Sequence, residues 1–374
     1  MQFVPPQRLL MGPGPSNVHP RVYQAMSKPI IGHLDPQFLG LMNEIQEMLR
    51  KVFQTNNQLT IPMSGTGSSG METLFVNLIY PGDKVIIGIN GVFGNRMKDM
   101  AERCGATVIP VNATWGTAID PAEIKLELDA NPDAKAVAIV HAETSTGVLQ
   151  PMEEIASIVK SHNALLIMDT VTSLGGSKVA IDEWSVDACF SGTQKCLSCP
   201  PGLSPVTLSD KALNLIQTRK GKSQSWYLDL SMVANYWTDG NRAYHHTAPI
   251  NMNYALHESL LLILEEGIEN RIKRHQDLSK LLWEGLSSLG LKPLVDDVVR
   301  LPQLNSVIIP EGFNEAAIRK MLLNDYGIEI GAGLGALAGK VWRIGLMGES
   351  CSKQSIAYLV SALKEVFKLN PATS

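Results

Sequence analysis

Between about residues 60 and 210, short apolar runs alternate with stretches of helical periodicity, and this alternation limits the fold more than any other feature. Lys84–Ile89 reads KVIIGI, Ala136–His141 reads AVAIVH, Ala164–Asp169 reads ALLIMD and Asp187–Ser191 reads DACFS. The first three are apolar along most of their length, and DACFS is a shorter run of the same kind, the pattern of strands buried on both faces. Between them, Phe93–Cys104 and Pro151–His162 carry the spacing of amphipathic helices. This rhythm predicts an α/β fold with a parallel or mostly parallel sheet covered by helices on both faces. In such sheets ligands bind beyond the carboxyl ends of strands, so the residues just after each run are where chemistry is expected.

The pattern then changes. Over 251–290 it turns helical, through Leu260, Leu261, Ile263, Leu264, Ile268 and Ile272, with Gly267 interrupting. A smaller β/α unit follows: Asn305–Ile309, a helix near Glu315–Asn324, Val341–Leu346 and a helix near Gln354–Phe367. The expected organisation is an extended Pro/Gly-rich arm over 1–20, a large domain over 21–265 and a small C-terminal domain over 266–374. Two domains suit 374 residues at roughly 150 per domain. With 36 acidic against 32 Lys and Arg residues, overall charge speaks against nucleic-acid binding. No apolar run reaches the roughly 18 residues of a membrane span. Five sparse cysteines are not a disulfide framework, and neither a leader nor a Ser-Lys-Leu ending is seen. A reducing, cytoplasmic setting is the expectation.

Several residues could carry chemistry. Ser64-Gly65-Thr66-Gly67-Ser68-Ser69-Gly70 lies between a short apolar segment and a helix expected over Met71–Ile79. Small residues at a helix start can cradle phosphate with free N–H groups, or simply make a tight turn. A nicotinamide-dependent dehydrogenase also uses such a loop, but needs an acidic residue ending the second strand. KVIIGI ends on Asn90-Gly91, and Asp83 stands at its wrong end. Asp169 closes ALLIMD, and a buried carboxylate there needs a partner. That partner is a helix cap, an ion pair, a protonated ring nitrogen or a metal. Lys195 follows the ACFS run among small, apolar and Pro-rich neighbours, which makes it a candidate Schiff-base former. Arg343, inside VWRIG, calls for a carboxylate, internal or brought by a substrate. Cys196 and Cys199 lack the further ligands of a zinc site and read as structural. In Tyr244-His245-His246-Thr247 adjacent histidines of a strand would face opposite ways, so a loop or interface role is expected and no metal.

Together these pieces resemble the class V aminotransferases of fold type I, which use pyridoxal 5′-phosphate, and within them the alanine–glyoxylate and serine–pyruvate aminotransferases. The resemblance spans nearly the whole chain. It rests on Leu10-Met11-Gly12-Pro13-Gly14-Pro15-Ser16, Gly65-Thr66-Gly67, Asn90-Gly91-Val92-Phe93-Gly94 and His141-Ala142-Glu143-Thr144-Ser145-Thr146-Gly147. Asp169-Thr170-Val171-Thr172-Ser173-Leu174-Gly175-Gly176, Gln194-Lys195 and Tyr244-His245-His246-Thr247 complete it. It implies a seven-stranded, mostly parallel sheet in the large domain. It also implies a homodimer with shared active sites, moving an amino group from alanine or serine to glyoxylate by a ping-pong mechanism. The same resemblance implies the roles. Lys195 would hold the cofactor and shuttle the proton, and Asp169 would pair with the ring nitrogen. Val171 and Phe93 would pack on the two ring faces, and Thr144 would bond the ring's 3-oxygen. Thr66, Gly67, Ser68 and Gln194 would hold the phosphate, with Tyr244 and Thr247 reaching it from the partner subunit. Arg343 would bind the substrate's α-carboxylate. The sequence departs from the pattern at Phe93, where many relatives carry Trp, and at Cys196 and Cys199, where Ala or Asn is common. A serine–pyruvate or serine–glyoxylate enzyme is the first alternative. A lyase or desulfurase of the same fold is another, with Cys351 as its only small-domain thiol, and a non-enzymatic binding module is the third class.

Overall fold

The computed structural model describes residues 2–238 and 242–369. Its central feature is a seven-stranded sheet. We number its strands β1 (Leu59–Ser64), β2 (Lys84–Ile89), β3 (Thr107–Asn112), β4 (Ala136–Val140), β5 (Leu165–Asp169), β6 (Ala188–Phe190) and β7 (Leu203–Leu208). Their spatial order is β1-β7-β6-β5-β4-β2-β3. Pairing is parallel from β6 through to β3, and only β7 runs antiparallel to both its neighbours.

Period-two side-chain alternation explains why the central strands read as continuous apolar runs. Val85, Ile87, Ala136, Ala138, Leu165 and Ile167 enter the hydrophobic core on one face. Ile86, Val137, Ile139, Leu166 and Met168 enter the core on the other. Both faces are dry, so neither set can be polar.

Helix α1 (Gly67–Leu78) follows β1, and α2 (Val92–Arg103) follows β2. The expected start of α1 at Met71 is corrected: the helix begins at Gly67, and the glycine-rich segment forms its first turn. Packing explains this. A Cβ on Gly70 would collide with Ser204 Oγ of β7, so only glycine lets the helix lie this close to the sheet. The long helical stretch is two helices, α3 (Ile250–Glu266) and α4 (Ile268–Ser288). They break at Gly267, whose φ of 84° lies in the region that favours glycine.

A second, antiparallel sheet joins Lys292–Pro293, β8 (Leu304–Ile308), β9 (Val341–Gly345) and Gly331–Ala332 in that order. It shares a separate apolar core with α4, the helix Glu315–Asp325 and α5 (Lys353–Leu369). The N-terminal arm is stitched into this part of the molecule. Leu9–Leu10 pairs in parallel with Ile328–Glu329, and Gly345 N–H donates to the Met11 carbonyl. The arm then runs to the loop that bears Lys195, where Ser16 Oγ donates to the Lys195 carbonyl at 2.7 Å. No described helix is long and apolar enough to cross a membrane.

Candidate active site

The carboxyl ends of β2, β4, β5 and β6, with the start of α1, surround a cavity of about 210 Å³. Its wall includes Thr66, Gly67, Ser68, Phe93, Thr144, Asp169, Val171, Gln194 and Lys195. Nine of the residues singled out in the sequence therefore meet at one place. Asp169 ends β5 and stands opposite Phe190 of the neighbouring β6, five residues before Lys195. Adjacent parallel strands thus bring the carboxylate and the amine to one edge of the sheet.

Asp169 is 3% exposed. One oxygen accepts the Val171 N–H at 2.8 Å. Burial pushes its carboxyl up to about 7; the Val171 N–H bond opposes the rise, Glu143 adds to it, and the Lys195 and Arg96 charges oppose it. A carboxylate held in this way lacks a close cation, and a protonated ring nitrogen would supply one. Lys195 is 8% exposed. Burial lowers its ammonium to about 8, helped by the Arg343 charge. Its Nζ donates to the Pro13 carbonyl. The arm packs so closely here that a Cβ on Gly14, whose φ is 103°, would lie 2.6 Å from the lysine side chain.

The N-terminus of α1 also lines the cavity. Its N-cap residue Thr66 bonds no backbone N–H through its side chain. The first N–H groups of a helix have no intrahelical partners, and with the positive end of the dipole they form an anion seat. Gln194 adds a buried Oε1 with no hydrogen-bond partner. Its amide carries both donor and acceptor, and reversing it would turn NH₂ toward an anion. A free seat for an anion, a buried carboxylate lacking a close cation and an amine of lowered pKa suit the phosphate, ring nitrogen and aldehyde of pyridoxal phosphate.

Arg343 is buried on β9, opposite Ser306 of β8, and is not part of the cavity wall. Its Nε donates to the Ala332 carbonyl at 2.6 Å and Nη1 to the Thr144 carbonyl at 3.1 Å. Among the described residues no carboxylate lies within 4 Å of it, and burial lowers its guanidinium to about 10. Thr144 therefore joins it to the cavity. Tyr244 and Thr247 stand apart from the cavity of their own chain. Both are exposed, with Tyr244 Oη and Thr247 Oγ1 3.5 Å apart. Their neighbour His246 reaches back to Ser64 Oγ at 2.7 Å, two residues before Thr66.

Two residues near the site have no role in the sequence reading. Glu143 is fully buried and accepts from Ser145 N–H, Ser145 Oγ, Phe93 N–H and Gly94 N–H at 3.0, 2.6, 3.0 and 3.3 Å. It ties the Thr144 loop to the start of α2, which presents Phe93. Arg96 lines the cavity from the same helix. Cys196, Cys199 and Cys351 are buried, and burial raises every one of these thiols.

Comparison with known proteins gives consistent matches. The aminotransferase class-V family model matches residues 10–356. The chain is similar to the (S)-ureidoglycine–glyoxylate transaminase of Bacillus subtilis (strain 168), with 41% identity over 379 residues, 96% of this chain and 91% of that protein. It is also similar to the alanine–glyoxylate aminotransferase of Oryctolagus cuniculus, with 40% identity over 366 residues, 97% of this chain and 93% of that protein. Among solved structures, the alanine–glyoxylate aminotransferase from Nostoc sp. superposes with a TM-score of 0.96 at 48% identity, covering 98% of each chain.

Proposed function

Because the chain belongs to the class-V aminotransferases, which are pyridoxal-phosphate enzymes, we propose that it transfers the amino group of alanine to glyoxylate, giving pyruvate and glycine in a ping-pong cycle. The observation that carries this reading is the convergence of Asp169, Lys195 and the N-terminus of α1 on one cavity. Glyoxylate is favoured as acceptor because the names of the three relatives above all include it.

The chemistry that bound pyridoxal phosphate supplies is that of an aldehyde carrier and an electron-withdrawing ring. The chain's own residues do the rest. Lys195, its ammonium lowered to about 8 by burial, gives up its proton more readily than an ordinary lysine, as an amine that attacks an aldehyde must. Once released, the same amine would carry the proton from the substrate's α-carbon to the former aldehyde carbon in one half-reaction, and from that carbon to the α-carbon of the acceptor in the other. Asp169 would hold a proton on the ring nitrogen as an ion pair. Phe93 and Val171 would pack on the two ring faces, and Thr144 would bond the 3-oxygen. Thr66, Gly67, Ser68 and Gln194 would hold the phosphate. Arg343 Nη2 makes no hydrogen bond among the described residues, and Arg343 would take the substrate's α-carboxylate, common to donor and acceptor. The arm at Pro13-Gly14 keeps bulk water from Lys195.

The working unit is a homodimer. Trp226, Tyr227 and Tyr244 are 60%, 42% and 58% exposed. Trp226 stacks on His245 at 4.4 Å and Tyr227 lies beside His246 at 4.9 Å, the two histidines being in contact at 5.1 Å, while Tyr244 packs separately beside His33 at 5.0 Å. Such a patch beside the anion seat suits burial against a second copy, which would receive Tyr244 and Thr247 at its own phosphate. The extended arm over 1–20, the large domain over 21–265 and the small domain over 266–374 remain our division, and five unpaired cysteines suit a reducing cytoplasm.

A second reading keeps glyoxylate and changes the donor to serine or, as in the Bacillus subtilis relative, (S)-ureidoglycine. A desulfurase is disfavoured: Cys351 is buried and its thiol is raised to about 11, the opposite of a reactive thiolate. The test is glycine formation from glyoxylate with alanine, serine or (S)-ureidoglycine, each at matched concentrations. Alanine should give the highest kcat/KM. A higher value for either other donor moves the assignment to it, and no glycine from any donor overturns the proposal.

A further inference from the structure

We infer that Arg96 is a cofactor-binding residue whose guanidinium supplies the positive charge that the phosphate seat otherwise lacks. The inference rests on the reading of this cavity as the seat of pyridoxal phosphate.

A phosphate monoester carries about −1.5 to −2 charges near neutrality. The groups assigned to hold it, Thr66, Gly67, Ser68 and Gln194, are all neutral. The helix start adds only about half a positive charge. Of the residues lining the cavity, only Lys195 and Arg96 are cationic, and Lys195 Nζ is turned to the Pro13 carbonyl. Arg96 Nη1 instead donates to Ser68 Oγ at 3.1 Å, in the seat itself. Its guanidinium carbon lies 4.8 Å from the centroid of the Phe93 ring, three residues earlier on the same helix. The other two basic residues of α2 have acidic partners: Lys98 meets Glu102 at 3.7 Å and Arg103 meets Asp99 at 2.8 Å. Arg96 meets no carboxylate within 4 Å among the described residues. Its charge is therefore not neutralised by a contacting carboxylate, and its two contacts direct it to the seat. An arginine presents five donors in a fixed fork, so a bond to Ser68 leaves others for phosphate oxygens.

A merely structural arginine would brace Phe93 and do no more. The two roles separate when the apo-protein binds pyridoxal 5′-phosphate and pyridoxal, which share a ring and differ in the phosphate. Tryptophan fluorescence gives both dissociation constants on one preparation, so loss of folded protein cancels in their ratio. In Arg96→Gln we expect pyridoxal phosphate to bind about ten- to hundred-fold more weakly, with pyridoxal changed less than about threefold. Arg96→Lys keeps the charge and should keep most of the preference for the phosphorylated ligand. An unchanged ratio in Arg96→Gln, or an equal loss for both ligands, overturns the inference. So does an Arg96→Lys ratio as low as that of Arg96→Gln, since charge would then not be what acts. A wild-type protein that does not distinguish the two ligands would remove the phosphate seat itself, which is a separate failure.

Discussion

The buried carboxyl of Asp169 makes a prediction about stability that needs no turnover. With a folded value near 7 and an ordinary value of 3.8, the apo-protein binds this proton more tightly folded than unfolded. Between those values the native state holds more protons, so stability falls as pH rises. Integrating the two titrations from pH 5 to pH 8 gives a loss of about 2–3 kcal/mol from this one group. Asp169→Asn keeps the shape and the oxygen that accepts from Val171 N–H, but removes the titration. Urea unfolding of cofactor-free protein at pH 5, 6, 7 and 8 should therefore show wild type losing about 2–3 kcal/mol more than the variant across that span. His141 and His275, lowered by burial to about 4 and about 3, push the other way, stabilising as pH rises from about 4 to about 6.5. They are present in both proteins and cancel in the difference. Lys195, lowered to about 8 against 10.5, acts mainly above pH 8 and lies outside the window. Parallel stability curves for the two proteins would mean that Asp169 is already ionised when the cofactor is absent. Asp169 would then need no cationic ring nitrogen to ionise.

Three further outcomes are expected. Glu143→Gln sets an NH₂ group against at least one buried N–H donor, and should lower unfolding free energy by about 1–3 kcal/mol; unchanged urea midpoints would deny the bonding role of that carboxylate. Arg343→Lys loses the planar fork, and kcat/KM should fall about ten- to hundred-fold for donor and acceptor alike, because both carry the same carboxylate; a loss confined to one half-reaction would contradict that contact. Lys195→Ala and the double variant Tyr244→Phe/Thr247→Ala should each lose most activity, yet unfolding and refolding them together should restore about a quarter of wild-type turnover. Half of randomly paired dimers are mixed and one site of each is intact, so a mixture as inactive as its parents would speak against a shared site.

The sequence made the fold legible where burial was uniform and left gaps where it was not. KVIIGI coincides with β2 to the residue, and β4, β5 and β6 fall inside the runs that marked them. These strands are covered on both faces, so every position reports burial. The strands not singled out each contain proline: Pro62 in β1, Pro110 in β3 and Pro205 in β7. Proline withholds a ladder donor and normally argues against a central strand. Here β1 and β3 are the two edges, and Pro62 and Pro205 stand opposite each other as a pair that exchanges no hydrogen bonds: the Pro205 carbonyl accepts from Ser191 N–H of the other neighbour, and the missing donor of Pro62 faces off the edge of the sheet. The start of α1 is hidden for a related reason. Glycine and serine are poor helix formers, and what holds Gly67–Gly70 helical is contact with β7, more than a hundred residues away.

At the site, legibility followed chain position. Asp169 and Lys195 are visible because the end of a buried strand is an unusual place for a charge. Glu143 and Arg96 are not, though each stands in a segment whose neighbours carry a signal. Arg96 belongs to an amphipathic helix with charges at 96, 98, 99, 102 and 103, and nothing local separates it from its solvated neighbours. Only the crossing of α2 over the start of α1 turns it toward Ser68, 28 positions away in sequence. Glu143 sits beside Thr144, but two of its four donors come from residues 93 and 94. The same carboxylate therefore fixes both the loop that offers Thr144 and the helix that offers Phe93 and Arg96. Arg343 enters this arrangement through the Thr144 carbonyl. A change at Glu143 should consequently shift ring stacking, phosphate binding and carboxylate binding together, whereas a change at Arg96 should be felt chiefly at the phosphate.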